Sequence, residues 1–263
     1  MSVNVYWFSP REKQGFHNFG DTLNPVLIER LCGVKVLWAN CNDWKNYKKF
    51  YMAIGSILGK AKPNTIVWGT GFGSESNNLN RPPLKICAVR GPMTREKLLS
   101  LGLSCPEIYG DPALLLPRIY NPTGGKTHKL GIIPHYVDRN SEWIKTTGSN
   151  RDVKRINVQD KNVLSIIDDI LSCELIASSS LHGIVAADAY GIPSLWLKFS
   201  DKVLGKGFKF RDYFRSVHRK VEEPLVVTGN TTLSQVFDGF SDYRIDIDLE
   251  KLHEVCPFGD GEQ

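Results

Sequence analysis

The sequence predicts an α/β fold in two halves, each a parallel sheet with helices on both faces. Three observations predict it. Short apolar, β-branched runs alternate with stretches of helical spacing, and strands that take turns with helices run parallel. The stretch YNPTGGKTHK, residues 120–129, breaks the alternation with Pro, Gly and Thr and reads as a linker that divides the chain into 1–122 and 123–263. A chain of 263 residues can bury one large core or two of about 120 residues each.

The elements follow in order. Val3–Phe8 opens the first sheet. Helix Thr22–Leu31 comes next, with Gly20 permitting a tight turn, Asp21 as N-cap and Pro25 in the first turn. Strands Lys35–Trp38, Tyr51–Ile54 and Thr65–Trp68 precede Lys85–Val89, which delivers Arg90 at its carboxyl end. Gly91 turns the chain, and Pro92 opens helix Pro92–Leu101, closed at Gly102. After a short strand Glu107–Tyr109, Asp111 before Pro112 is explained by a turn or helix cap. In the second half, strands Lys129–Pro134, Val153–Val158, Glu174–Ala177 and Ser194–Leu197 alternate with helices Glu142–Thr146, Val163–Leu171 and Leu181–Tyr190.

Composition excludes some classes. Apolar residues make up 41 % and charged residues 23 %, as in soluble globular proteins, and no stretch nears the ~20 apolar residues of a membrane span. The first residues lack a basic region followed by a long apolar one, which favours a cytoplasmic setting. The six cysteines are scattered without a C-x-x-C pair, so neither disulfides nor a zinc site is expected. The net charge of +5 suits an anionic substrate, a nucleic acid or an anionic membrane surface. Most of the excess lies in LKFSDKVLGKGFKFRDYFRSVHRK, residues 197–220, which alone reads as a solvated face. No helix-turn-helix, zinc-finger or RNP-type pattern accompanies it, so nucleic acid is a poor fit.

Open parallel sheets bind ligands beyond the carboxyl ends of their strands, so polar residues at strand-to-helix junctions are the candidates. His17 and Asn18, just before Asp21, are loop residues or face a ligand. Arg90 either aims its planar fork at a carboxylate or phosphate, or pairs with an acid such as Asp111. Ser178, Ser179 and Ser180 end a buried strand at the start of a helix, where free N–H groups and hydroxyls bind anions. His182 in the first turn can donate to a phosphate or shuttle a proton, with Gly183 allowing close approach. Lys198, past the next strand, would reach the same crevice.

Six motifs in this order, FHNFGDTLNPVLIERL, VWGTGF, AVRGPMTREKLLSLGL, YGDPALLLP, LGIIPHY and ASSSLHGIVAADAYGIPSLWL, resemble the polysaccharide pyruvyl transferase family over roughly residues 14 to 215. The resemblance implies a GT-B-like architecture of two Rossmann-type domains, with the acceptor side in the first, the donor side in the second and the C-terminal tail packing back on the first. It also implies transfer of the pyruvyl group of phosphoenolpyruvate to a sugar of a bacterial exopolysaccharide, capsule or cell-wall glycan as a cyclic ketal. Phosphoenolpyruvate is then the donor substrate, and no metal or cofactor is implied. Arg90 and His182 would contact the donor, with Lys198 a further contact and Ser179 and Ser180 at the helix start.

Many members carry Arg-Leu-His where this chain has Ser180-Leu181-His182, so a guanidinium is missing. Lys206 and Lys209 are the best replacements, which would turn the basic run into an anion clamp. His182 would serve as the acid or stabilise the departing phosphate. Asp21 with His17 would orient or deprotonate the acceptor, and His135 is a secondary candidate that could equally be packed and structural. Acceptors of this kind are often lipid-linked oligosaccharides, and the basic face would assist transient contact with the inner leaflet. The competing readings are a GT-B glycosyltransferase using a nucleotide sugar and a catalytically silent carbohydrate-binding protein.

Overall fold

Val3 and Val5 of β1 (Ser2–Val5) turn into the core while Ser2 and Asn4 do not, the two-residue period of a strand. The more central β3 (Phe50–Met52) and β4 (Thr65–Trp68) are buried throughout, as strands covered on both faces must be. With β2 (Lys35–Trp38) and β5 (Lys85–Ala88) they form a parallel sheet of order β2-β1-β3-β4-β5. A second parallel sheet, of order β10-β9-β8-β6-β7, joins β6 (His128–Ile133), β7 (Val153–Arg155), β8 (Cys173–Ser178), β9 (Ser194–Lys198) and β10 (Leu225–Val226). The computed structural model describes residues 1–9, 17–79, 81–147 and 150–258, so residues 14–16 of the sequence resemblance lie outside the described residues.

Counted within its own half, each sheet has the order 2-1-3-4-5, so the direction of winding reverses between its first and third strands. Such a switch point opens a crevice at the strand carboxyl ends, here beyond β1 and β3 and beyond β6 and β8.

Helix α1 (Phe19–Cys32) begins three residues earlier than the sequence suggests and ends at Gly33, whose φ of 67° allows its N–H to reach Glu29 O. Asn18, not Asp21, is therefore the N-cap residue, and Asp21 lies in the first turn. Pro25 falls inside the helix, and the Asp21 carbonyl it cannot serve accepts Asn24 Nδ2 at 3.1 Å. Helices α2 (Pro92–Ser100), α3 (Leu116–Ile119), α4 (Glu142–Thr147), α5 (Val163–Leu171) and α6 (Leu181–Ala189) follow, then α7 (Phe208–Ser216), α8 (Leu233–Asp238) and α9 (Leu249–Glu254). The expected strand Glu107–Tyr109 shrinks to one bridge between Val89 and Tyr109, because the chain leaves the sheet at Gly110.

The halves share one apolar core. Helix α1 packs on α5 and α6, the short 3-10 helix Pro112–Leu115 packs on α6, and α2 packs on α7. Phe19 N–H also donates to Val158 O at 2.8 Å across the seam. The C-terminal segment returns to the first sheet, where Trp68 Nε1 donates to Leu252 O at 2.9 Å and the Phe258 ring lies 4.7 Å from Tyr51. Asp188 of α6 gathers Arg219, Tyr213, Tyr243 and Ser194 into a buried knot below the second sheet. No helix among the described residues is long and apolar enough to cross a membrane.

Candidate active site

The two switch points face each other. Tyr6 follows β1, Gly55 and Ser56 follow β3, His135 follows β6 and Ser180 follows β8. All five line a cleft of about 420 Å³ with Asn18, Asp21, His182 and Lys209. His135, Tyr136, Ser56 and Lys209 also border a wider cleft of about 1080 Å³ between the halves.

The three serines divide their work. Ser178 Oγ, sealed from solvent, contacts Ile133 O and accepts the Ser180 N–H at 3.0 Å, which fixes the strand-to-helix turn. Ser179 Oγ accepts the His135 N–H at 2.8 Å, so it braces a neighbour and does not line the His182 cleft as expected. Ser180 is the N-cap residue of α6 and its hydroxyl makes no capping bond, leaving it at the cleft wall.

His182 lies between two carboxylates. Its Nε2 stands 3.4 Å from Oδ2 of the fully buried Asp111, whose Oδ1 caps the 3-10 helix through Ala113 N–H at 3.0 Å. On the other side a Cβ built on Gly20 would fall 1.9 Å from His182 Nδ1, so Gly20 serves close approach in a helix rather than a turn. Asp21 accepts Asn18 Nδ2 at 2.6 Å. Burial pushes its carboxyl up to about 6 against the opposing pull of Asn18, His182 and Lys209. Lys209, in the first turn of α7, is drawn down to about 8 by burial and by the Arg90 charge, with Asp21 opposing. Burial, then Lys209 and His182, hold the His135 imidazole down at about 3, so it is neutral near pH 7. It lies against the Tyr136 ring at 4.3 Å.

Several expectations are corrected. Arg90 offers no fork to the crevice: it is fully buried, with Nε and Nη2 at 3.0 and 2.9 Å from Asp212 Oδ2, and it also donates to Ser56 Oγ and Phe72 O. Its partner is Asp212 of α7, not Asp111. Lys198 pairs with Asp201 at 2.7 Å and lines a separate cavity of about 400 Å³ with Lys206. Lys206 is exposed and borders the wider cleft but not the His182 cleft. His17 is half-buried and does not line the His182 cleft. The fold thus brings together Asn18, Asp21, His135, Ser180, His182 and Lys209. Sequence reasoning missed Asp111 as a neighbour of His182, although it follows a strand-like segment like the other candidates, because the cap it forms already accounted for it.

The family profile named Polysaccharide pyruvyl transferase matches residues 32–201, well over half the chain. That span holds Asp111, His135 and His182, while Asp21 and Lys209 lie outside it. The chain is 33 % identical over 202 residues to the uncharacterized protein L143 of Acanthamoeba polyphaga mimivirus, covering 74 % of this chain and 69 % of that protein. It is 27 % identical over 213 residues to the succinoglycan biosynthesis protein ExoV of Rhizobium meliloti, covering 76 % of this chain and 61 % of that one. A cleft built at two facing switch points, with the matched motifs supplying its histidines, accords with these likenesses: the chain belongs to the polysaccharide pyruvyl transferase family.

Proposed function

We propose that the chain moves the pyruvyl group of phosphoenolpyruvate onto a sugar of a surface polysaccharide, or of its lipid-linked precursor, and closes it as a cyclic ketal. Family membership supports pyruvyl transfer to a polysaccharide, as does a relative named for succinoglycan biosynthesis. The observation that carries the donor assignment is the cleft cluster itself. Half-buried Lys209, the Ser180 start of α6 and His182 present cationic and N–H donors in a site partly sheltered from water, where contacts to a multiply charged anion are stronger than in bulk solvent.

His182 delivers a proton to the enol methylene, leaving an oxocarbenium-like carbon. One sugar hydroxyl adds to that carbon as its proton passes to Asp21. The carbon–oxygen bond to phosphate then breaks, and the second hydroxyl closes the ring. One proton enters the new methyl group, two leave the hydroxyls, and one departs with phosphate, so the step balances. Lys209 holds the anionic donor, and neutral His135 donates a hydrogen bond without adding charge.

The test mixes purified protein with phosphoenolpyruvate and an acceptor oligosaccharide and measures phosphate release alongside the product mass. Phosphate released one-for-one with ketal is the expected result, with His182→Ala slower by about 10²–10⁴-fold while folded. A cleft that ignores millimolar phosphoenolpyruvate but takes up a uridine or guanosine diphosphate overturns the reading in favour of nucleotide-sugar transfer.

A further inference from the structure

Two sealed polar atoms face each other at the floor of the cleft. Asp111 Oδ2 and His182 Nε2 are buried, 3.4 Å apart, and neither makes a hydrogen bond among the described residues. Buried polar atoms left without partners are rare, and a pair of complementary ones at this spacing is a bond poised to form. Catalytic hydrogen bonds are often long without substrate and tighten when it binds.

The carboxylate cannot swing away, because Oδ1 is held by the Ala113 N–H. Only Oδ2 remains to receive a proton-bearing nitrogen. With Nε2 sealed, Nδ1 on the Gly20 side is the nitrogen left to reach the cleft. Asp111 comes from the first half of the chain and His182 from the second, so the pair exists only when the halves are joined.

We infer that Asp111 is a positioning residue: it accepts the Nε2 proton of His182, fixes the ring, and leaves Nδ1 as the nitrogen that exchanges a proton with the substrate. The catalytic part of this inference rests on the pyruvyl-transfer reading; the orientation does not. The other charged or titratable groups facing His182 are Asp21 from α1 and His135 from the end of β6, with Lys209 of α7 beyond them.

Long-range proton–nitrogen NMR of histidine-labelled protein without substrate tests the orientation, comparing wild type with Asp111→Asn, whose amide oxygen can keep the cap. The expected result is that the neutral form of His182 carries its proton on Nε2 in wild type and on Nδ1 in the variant, because an amide that keeps the cap through its oxygen turns its NH2 toward Nε2 and makes that nitrogen an acceptor. In the transfer assay kcat should fall about 10²-fold or more, with the phosphoenolpyruvate KM within about threefold. A wild-type proton on Nδ1, or a proton that stays on Nε2 in Asp111→Asn, overturns the role whatever the assay gives. Should Asp111→Asn not fold, the wild-type tautomer alone decides. The expected spectra with no turnover of phosphoenolpyruvate would uphold the orientation and remove the pyruvyl-transfer reading instead.

Discussion

An alanine at position 20 would place its methyl carbon 1.9 Å from His182 Nδ1, a distance no real contact shows. Alanine favours a helix over glycine by about 1 kcal/mol, which offsets part of the roughly 1–3 kcal/mol that overpacking against the His182 ring costs, so Gly20→Ala should lower stability only modestly. The imidazole must move, and kcat should fall by about 10²-fold, read from turnover beside a denaturant unfolding curve. Asp21 yields a pH signature. Its carboxyl, raised from 3.8 to about 6 chiefly by burial, binds a proton more tightly in the folded chain. Its contribution to stability is therefore full below about pH 4 and lost as pH rises through 6. His135 acts in the opposite sense: its neutral form is favoured by folding, and stability is lost as pH falls from 6.5 toward 3. Asp21→Asn should thus gain on wild type as pH rises from 4 to 8, measured by unfolding at each pH. A variant curve parallel to wild type would remove Asp21 from the buried cluster. These residues were legible to different degrees. Asn18, Asp21, Ser180 and His182 sit at junctions, and the switch-point rule needs only the junction. Arg90 sits at an equally good junction, yet its partner lies 122 residues away, and no local pattern distinguishes an arginine that faces a crevice from one that finds such an acid.

Among the elements, the pairing of α2 with α7 depends on the same arginine. Asp212 accepts from Arg90, Thr94 N–H and Thr94 Oγ1, and Gly91 approaches so closely that a Cβ there would meet Asp212 O at 2.0 Å. Removing one charge leaves the other buried and unpaired, so Arg90→Met or Asp212→Leu should each cost about 3–5 kcal/mol in denaturant unfolding. The double variant should recover much of that loss, because no charge is then stranded. Strands Lys35–Trp38 and Thr65–Trp68 and helix Val163–Leu171 match the sequence periodicity to the residue, since each has strong spacing and clear ends. The bounds of α7 were hidden by its charge. Arg211 and Arg215 lie toward Glu223 and Glu222, while Phe208, Phe210, Tyr213 and Phe214 form the buried side.

For the whole molecule, the basic run is less of a clamp than its composition suggests. Lys198 pairs with Asp201 and Arg219 with Asp188, and Lys209 is the member that reaches the His182 cleft. The C-terminal segment is a structural part of the first sheet. A chain ending at Asp248 would strip Trp68 of its Leu252 acceptor and of the Phe258 ring. It should lose at least about 3 kcal/mol, from Leu252 and Phe258 burial alone. Trp68 emission should shift to the red, checked against Trp68→Phe. The Arg90–Asp212 pair, which ties the end of the first half's edge strand to α7 of the second half, has a mechanical consequence. Swinging the halves apart like a clamshell would bare two opposite charges and split a continuous oily seam, so large hinge motions are suppressed. Substrates would then thread in through a standing doorway, and the ordering left for each turnover would shrink from the swing of whole lobes to a local step such as closing the 3.4 Å gap between His182 and Asp111.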